Sequence, residues 1–254
     1  NHIGYSSSQV RRQFRQSFHF SPSAYREKRR LERAAVLLAL TPLNIAQIAV
    51  RCGYHNHSSF SRAFQRRYQF SPRHFRQRLK NSVASSMPYK PYKTDIEKIS
   101  DRQMILMRLY QAPERIKGLG DTSYHNEQLA CLQARLRRST TIIELPDILA
   151  IKVDALNSEY FHYNRTDVGL YLEQTDNAQD IALPVPYRRV DIPTHYCLST
   201  RFDNLADLYD ALTHTLVHLL YNQNDFHVSG HPPQVLWQAN HLELRIPLVG
   251  QLAG

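Results

Sequence analysis

Four polar side chains recur at one helical spacing in two places. Ser8, Arg11, Arg12 and Arg15 fall at i, i+3, i+4 and i+7. Ser58, Ser61, Arg62 and Gln65 repeat that spacing, with His57 at the N-terminal edge. Residues at these intervals share one face of a helix. Arginine can bind guanine through two hydrogen bonds, and Ser, Gln or His can contact base edges or phosphate. The implied chemistry is readout of a duplex through its major groove, by one element used twice.

The elements that must position these faces repeat too. Gly4-Tyr5 answers Gly53-Tyr54, Phe20-Ser21-Pro22 answers Phe70-Ser71-Pro72, and Tyr25-Arg26 answers Phe75-Arg76. A unit that recurs in this way is one supersecondary module used twice. Val10, Phe14 and Phe18 fall at i, i+4 and i+8 in the first copy, and Phe60, Phe64 and Tyr68 in the second. Each trio predicts a buried apolar stripe behind the polar face. A glycine-containing turn precedes each helix, as in a helix-turn-helix unit. In the second copy Asn44 can cap the preceding helix, whose apolar side is Ile45, Ile48 and Ala49. Cys52, just before Gly53, reads as a small core residue.

Between the copies, Leu31, Ala34, Ala35 and Leu38 give the stretch from Ser23 to Leu40 an apolar side. As a helix it would span roughly 27 Å. A rod of that length could hold two recognition helices near successive major-groove segments, about 34 Å apart. Arg26, Lys28, Arg29, Arg30 and Arg33 cluster along it, and some of them are expected to touch phosphate.

Charge divides the 254-residue chain in the same way. Residues 1–93 hold 18 Lys and Arg against 2 Asp and Glu, whereas the remainder holds 14 against 20. A basic nucleic-acid module joined to an acidic module with another task fits this asymmetry. Cys52, Cys131 and Cys197 are isolated, which suggests neither a disulfide framework nor a zinc site and suits a reducing cytosol. No apolar run approaches the ~20 residues of a membrane helix, and no signal peptide opens the chain. His55 and His57 lack further ligands at a useful spacing, and His214 and His218 have no acid between them, so no metal is expected. Phosphate-loop, nucleophile-elbow and kinase signatures are absent, so no catalytic residue, cofactor or enzyme activity is assigned.

The stretch Gly4–Arg78 resembles the DNA-binding domain of the AraC/XylS family of transcription regulators. The resemblance is carried by Gly4-Tyr5-Ser6, Arg12-Gln13-Phe14, Ser21-Pro22, Tyr25, Arg30-Leu31, Ala34, Ile45-Ala46, Ile48-Ala49, Gly53-Tyr54, Phe60-Ser61-Arg62-Ala63-Phe64 and Ser71-Pro72-Arg73-His74-Phe75-Arg76. It implies seven helices in two helix-turn-helix units. It also implies base-facing positions at Ser8, Gln9, Arg11 and Arg12, then at His57, Ser58, Ser59 and Arg62. Arg15 and Ser61 complete the expected DNA-binding set. The family pattern begins upstream of Gly4 with a helix and most of a second, so the protein is expected to start earlier than Asn1.

Beyond residue 100 the pattern turns mixed. Met104–Tyr110 reads as a strand, Asn126–Arg138 as a helix with Leu129, Leu132 and Leu136 on one side, and Leu149, Ile151, Val153 and Ala155 as an alternating strand. Val168–Glu173 is a further strand. Then Tyr196, Leu198, Thr200 and Phe202 alternate, and Leu205, Leu208, Tyr209, Leu212, Leu216, Leu219 and Leu220 form a helical stripe. Strands over Val235–Ala239 and Leu242–Leu248 follow. Strand-helix-strand-strand written twice suggests two halves facing across a groove. Residues 100–250 are similar to the GyrI-like effector-binding domain that ends Rob-type members of the same group, on stretches such as Val190-Asp191-Ile192-Pro193 and Leu244-Arg245-Ile246-Pro247-Leu248. That resemblance implies a small-molecule pocket of aromatics and a carboxylate, for which Asp154, Tyr171, Tyr196 and Trp237 are candidates beside an ordinary packing role for each. Asp154-Ala155-Leu156 stands where related domains show paired acids and proline, and Val235 where a Glu is common.

The expected architecture is an all-α double helix-turn-helix domain over residues 1–80, a linker over 81–100 and an α+β domain of two strand-helix-strand-strand repeats over 101–254. The expected protein is a cytoplasmic, sequence-specific transcription regulator that binds double-stranded DNA as a monomer and takes a small-molecule effector. By resemblance it activates transcription through RNA polymerase. The competing reading is a module that sequesters or hydrolyses small molecules, with DNA binding secondary.

Overall fold

The computed structural model describes residues 5–84, 91–111, 130, 134, 141–145, 149, 164–172, 183, 187–221, 225–238 and 240–250. Five helices come first: α1 (Ser7–Phe18), α2 (Pro22–Leu40), α3 (Ile45–Arg51), α4 (His57–Tyr68) and α5 (Pro72–Ala84). Their ends are set by local chemistry. The Ser6 hydroxyl accepts the Gln9 N–H while the Gln9 side chain accepts the Ser6 N–H, a reciprocal capping box. Asn44 and Gln47 repeat the device at α3, and Asn56 caps α4. α1 and α4 both stop at a left-handed residue, His19 (φ 58°) and Gln69 (φ 60°). Both are followed by the Phe-Ser-Pro turn whose serine caps the next helix, Ser21 accepting from Ala24 and Ser71 from His74.

α2 is the axis of the helical domain, about 28 Å long at the standard rise. Leu31, Ala34, Ala35 and Leu38 are buried as its pattern predicts, but so are Val36, Leu37, Ala39 and Leu40. The second side is covered from the far end of the chain: a Cβ added at Gly230 would lie 3.4 Å from the Leu37 side chain. Burying an aliphatic side chain of this size is worth about 1.5–3 kcal/mol, so the two domains share apolar surface.

The second domain is a sheet of β1 (Thr94–Ile99), β2 (Arg102–Gln111), β3 (Thr141–Glu144), β4 (Asn164–Leu172), β5 (Arg188–Ile192), β6 (His195–Phe202), β7 (Phe226–Val228), β8 (Gln234–Trp237) and β9 (Leu242–Gly250), with α6 (Leu208–Tyr221) between β6 and β7. The strand order is β1-β6-β9-β8-β3-β4-β2-β5, with β7 added to β9, and every pairing is antiparallel. The order is symmetric about the β3–β8 pair. Each half lends its first strand to the other: β1 pairs with β6, and β5 pairs with β2. Gly169 on β4 admits no side chain, since a Cβ there would lie 1.7 Å from the Ile105 carbonyl oxygen.

Several expectations change. β1 lies inside the segment read as a linker over 81–100, and its Thr94 and Thr200 hydroxyls are 3.0 Å apart. Its alternation is weak because it is an edge strand with one pairing partner. Leu149, expected in a strand with Ile151, Val153 and Ala155, is helical, and the other three lie outside the described residues. The helix expected over Asn126–Arg138 also falls outside them, apart from Ala130 and Ala134, which are helical. The strands expected from Met104, Val168, Tyr196, Val235 and Leu242 are present as β2, β4, β6, β8 and β9, and the leucine stripe as α6.

Candidate nucleic-acid interface

α1 and α4 carry the two polar faces. Ser8, Gln9, Arg11, Arg12 and Arg15 are exposed on α1, and His57, Ser58 and Arg62 are exposed on α4. Ser59 and Ser61 are half-buried. Three of these side chains make local contacts, and the Ser8 hydroxyl lies 2.9 Å from that of Ser6. Gln9 closes the α1 cap, and the Ser59 hydroxyl donates to the Asn56 carbonyl at 3.1 Å, while its N–H donates to the Asn56 side chain at 2.8 Å. Four arginines, Arg11, Arg12, Arg15 and Arg62, are thus presented to solvent from two helices that both contact α2.

The backing of the two helices is unequal. Behind α4, Phe60, Phe64 and Tyr68 are 0%, 0% and 1% exposed. Phe64 meets Tyr68 at 4.5 Å and the edge of Phe75 at 5.1 Å between ring centroids. The stripe expected behind α1 is not buried: no α1 residue is, and Val10 is exposed. Phe14 and Phe18 instead pack on each other at 4.6 Å and on Tyr25 of α2, each at 5.4 Å. Phe18 also meets Tyr110 of β2 at 5.2 Å, so the sheet domain supplies part of the support for α1.

Beneath the faces, Arg76 on α5 donates to the carbonyls of Leu38 and Leu43. It ties α5 to the end of α2, and burial lowers its pKa. Arg66 pairs with Glu27 across α4 and α2 at 3.5 Å, but both side chains are well exposed, so the pair adds little. Of the basic residues expected along α2, Arg29 pairs with Glu32 at 2.8 Å. Cys52 is buried, and burial outweighs the lowering effect of Arg33 and Arg30, so its thiol pKa is pushed up to about 11. That is the signature of a packing residue.

The effector candidates are not brought together. Tyr171 pairs in register with Met104, two residues beyond the Gly169–Ile142–Leu236 row. Trp237 pairs with Thr141 and Leu242, one residue off that row, so it faces the other side of the sheet. Tyr196 shares the Trp237 side and stacks on Phe226 at 4.8 Å. Asp154 lies outside the described residues.

What surrounds Tyr171 was missed from the sequence. Its hydroxyl donates to Gln234 at 2.7 Å, and Gln234 donates to Glu144 at 2.8 Å. Glu144 and Gln234 are both buried. Burial raises the Glu144 pKa, a tendency the Gln234 hydrogen bond only partly offsets. The neighbouring Asp167 is fully buried; burial would raise its pKa, yet the hydrogen bonds from Arg108 and Arg188 outweigh it and hold the carboxyl below the ordinary range. The available signal for Glu144 was a single acid inside the apolar run Ile142-Ile143-Glu144-Leu145. Among the described residues no helix is long and apolar enough to cross a membrane.

Comparison with known proteins addresses mainly the helical part. A helix-turn-helix domain family model matches residues 1–78. The HTH-type transcriptional regulator AlkR of Acinetobacter baylyi is 44% identical over 64 residues, which cover 25% of this chain and 21% of AlkR. The regulatory protein SoxS of Escherichia coli is 40% identical over 76 residues, covering 30% of this chain and 71% of SoxS. The match thus spans about a fifth of the one relative's length and most of the other's. Over 63% of this chain, the structure of SAV2435 bound to tetraphenylphosphonium is similar at 12% identity, with a TM-score of 0.43 and 95% of that chain covered.

Proposed function

The chain belongs to the AraC/XylS family of helix-turn-helix transcription regulators, and we propose that it regulates transcription by reading two successive major-groove segments with α1 and α4. One observation carries the reading: Arg11, Arg12, Arg15 and Arg62 are solvent-exposed on two copies of one capped helix, both of them packed on α2. Arginine and serine on a groove-width helix supply both guanine readout and phosphate contacts. Two heads on one chain suit an asymmetric site bound by a monomer.

In this proposal the protein is an activator that contacts RNA polymerase. The sheet domain takes a small-molecule effector on the face where Tyr171, Gln234 and Glu144 are joined. No catalytic step is assigned to either domain.

The test is selection of binding sites from random duplex DNA, followed by a salt titration. The expected result is one asymmetric motif spanning roughly two helical turns, with an affinity that falls steeply in salt. Salt-sensitive binding with no enriched motif would reject sequence-specific readout. Enrichment of a single half-motif would reject a reading role for one of the two helices.

A further inference from the structure

A cavity of about 470 Å³ lies where α2 and α3 meet the sheet domain. That is within the size range of small-molecule sites. One wall is α2 and α3; the other is built from β2, β4, Leu149 and the turn at 230–233. Among the described residues, seven arginines line it against one carboxylate, Glu32. Glu32 is taken by Arg29 at 2.8 Å, and Arg108 is held by Asp167 at 2.7 Å. Among the described residues no carboxylate pairs with Arg26, Arg30, Arg33 or Arg51.

The backbone makes room for this charge. Gly53 has φ +77°, and a Cβ there would lie 3.1 Å from the Arg30 guanidinium. Gly230 has φ +79°, and a Cβ there would lie 3.5 Å from Arg33. Pro232 and Pro233 stiffen the opposite wall. A concave site lined by one sign of charge concentrates counter-ions, and guanidinium forks match phosphate and carboxylate oxygens in pairs. The low pKa of His231, due first to burial and then to Arg33 and His195, fits the same positive environment.

We propose that this cavity binds a small polyanion, a molecule with two or more phosphate or carboxylate charges, which links α2 and α3 to the sheet domain. The site is separate from the groove-reading faces. Its Arg108 and Arg165 stand on the same side of the sheet as Tyr171 and Glu144, Arg108 being held by Asp167, the register partner of Glu144, but the proposal does not rest on an effector bound at Tyr171.

The experiment is isothermal titration of the full chain, without DNA, using inorganic pyrophosphate and, separately, citrate. Saturable binding at one site per chain is expected, with a Kd of about 1 mM or tighter. Arg33→Gln and Arg51→Gln should each weaken it about tenfold. Both side chains are exposed, so the variants should keep the parent's melting temperature. Tighter binding of pyrophosphate assigns a phosphorylated ligand, and tighter binding of citrate a polycarboxylate. Absence of saturable heat with either probe, or equal binding by parent and both variants, overturns the proposal. So does a result in which the variants lose DNA affinity and salt dependence but bind both probes as the parent does, because the arginines would then serve the DNA backbone.

Discussion

The ring of Phe18, at the end of α1, meets the ring of Tyr110, on β2, edge to face, with centroids 5.2 Å apart and planes at 69°. One residue belongs to the first helix-turn-helix unit and the other to the sheet. The contact gives α1, which has no buried residue, a partner in the other domain. Such a pair is worth about 0.5–1.5 kcal/mol beyond the area it covers. The position of α1 is therefore tied to where the sheet domain sits.

Tyr110→Ala should loosen α1 selectively. Hydrogen exchange of the α1 amides should quicken by roughly two- to tenfold, in line with a loss of 0.5–1.5 kcal/mol. The α4 amides, closed by Phe64, Tyr68 and Phe75, should not change. Unchanged exchange in α1 would show that the Tyr110 contact does not hold the helix.

α1 and α4 should differ in what their aromatics contribute. Phe64 is 0% exposed, and Phe64→Ala should cost about 3–5 kcal/mol by leaving a cavity among Phe60, Tyr68 and Phe75. Phe14 is half-buried in a helix with no buried residue, so Phe14→Ala should cost well under half as much. Urea denaturation of both variants measures the difference, and equal losses would contradict the unequal backing.

Arg62 is exposed on α4 and, among the described residues, has no structural partner of the kind that holds Arg76. Arg62→Ala should leave the melting temperature unchanged, weaken DNA binding by about 1–3 kcal/mol and relax preference at one base pair. Competition binding against single-base variants of the selected site reads this directly. An unaltered preference would remove Arg62 from base recognition.

Glu144 should make the fold less stable as pH rises. Burial raises its native pKa above the unfolded value, so its stabilising contribution is complete below the ordinary carboxylate range. That contribution is lost as pH climbs through the raised value. Glu144→Gln keeps an acceptor for Gln234 and removes the ionisation. The variant should gain stability over the parent at about pH 8 and little at about pH 4. Denaturation midpoints at the two pH values test this, and a constant difference between the proteins would discount Glu144 as the titrating group.

Local chemistry makes much of the helical domain legible in the amino-acid sequence. The polar faces of α1 and α4 follow from spacing and the start of α3 from Asn44, while the caps at Ser6, Ser21 and Asn56 and the left-handed stops at His19 and Gln69 emerged only in the structure. In the sheet domain, alternation located β6 and β9 and the leucine stripe located α6. These are short-range periodicities, set by which residues face one way along a single element.

What lies opposite each element was decided only in three dimensions. The same aromatic spacing gives a sealed stripe on α4 and a half-exposed one on α1, because α3 and α5 flank α4 while α1 leans on α2 and Tyr110. β1 and β5 exchange edges, and Tyr171 and Trp237 part to opposite faces, through registers set between strands far apart in the chain. Glu144 is buried, and arginines spread from 26 to 165 converge on one cavity, for the same reason. Burial and pairing are properties of what comes to cover a residue, and a residue's own neighbours in sequence do not carry that information.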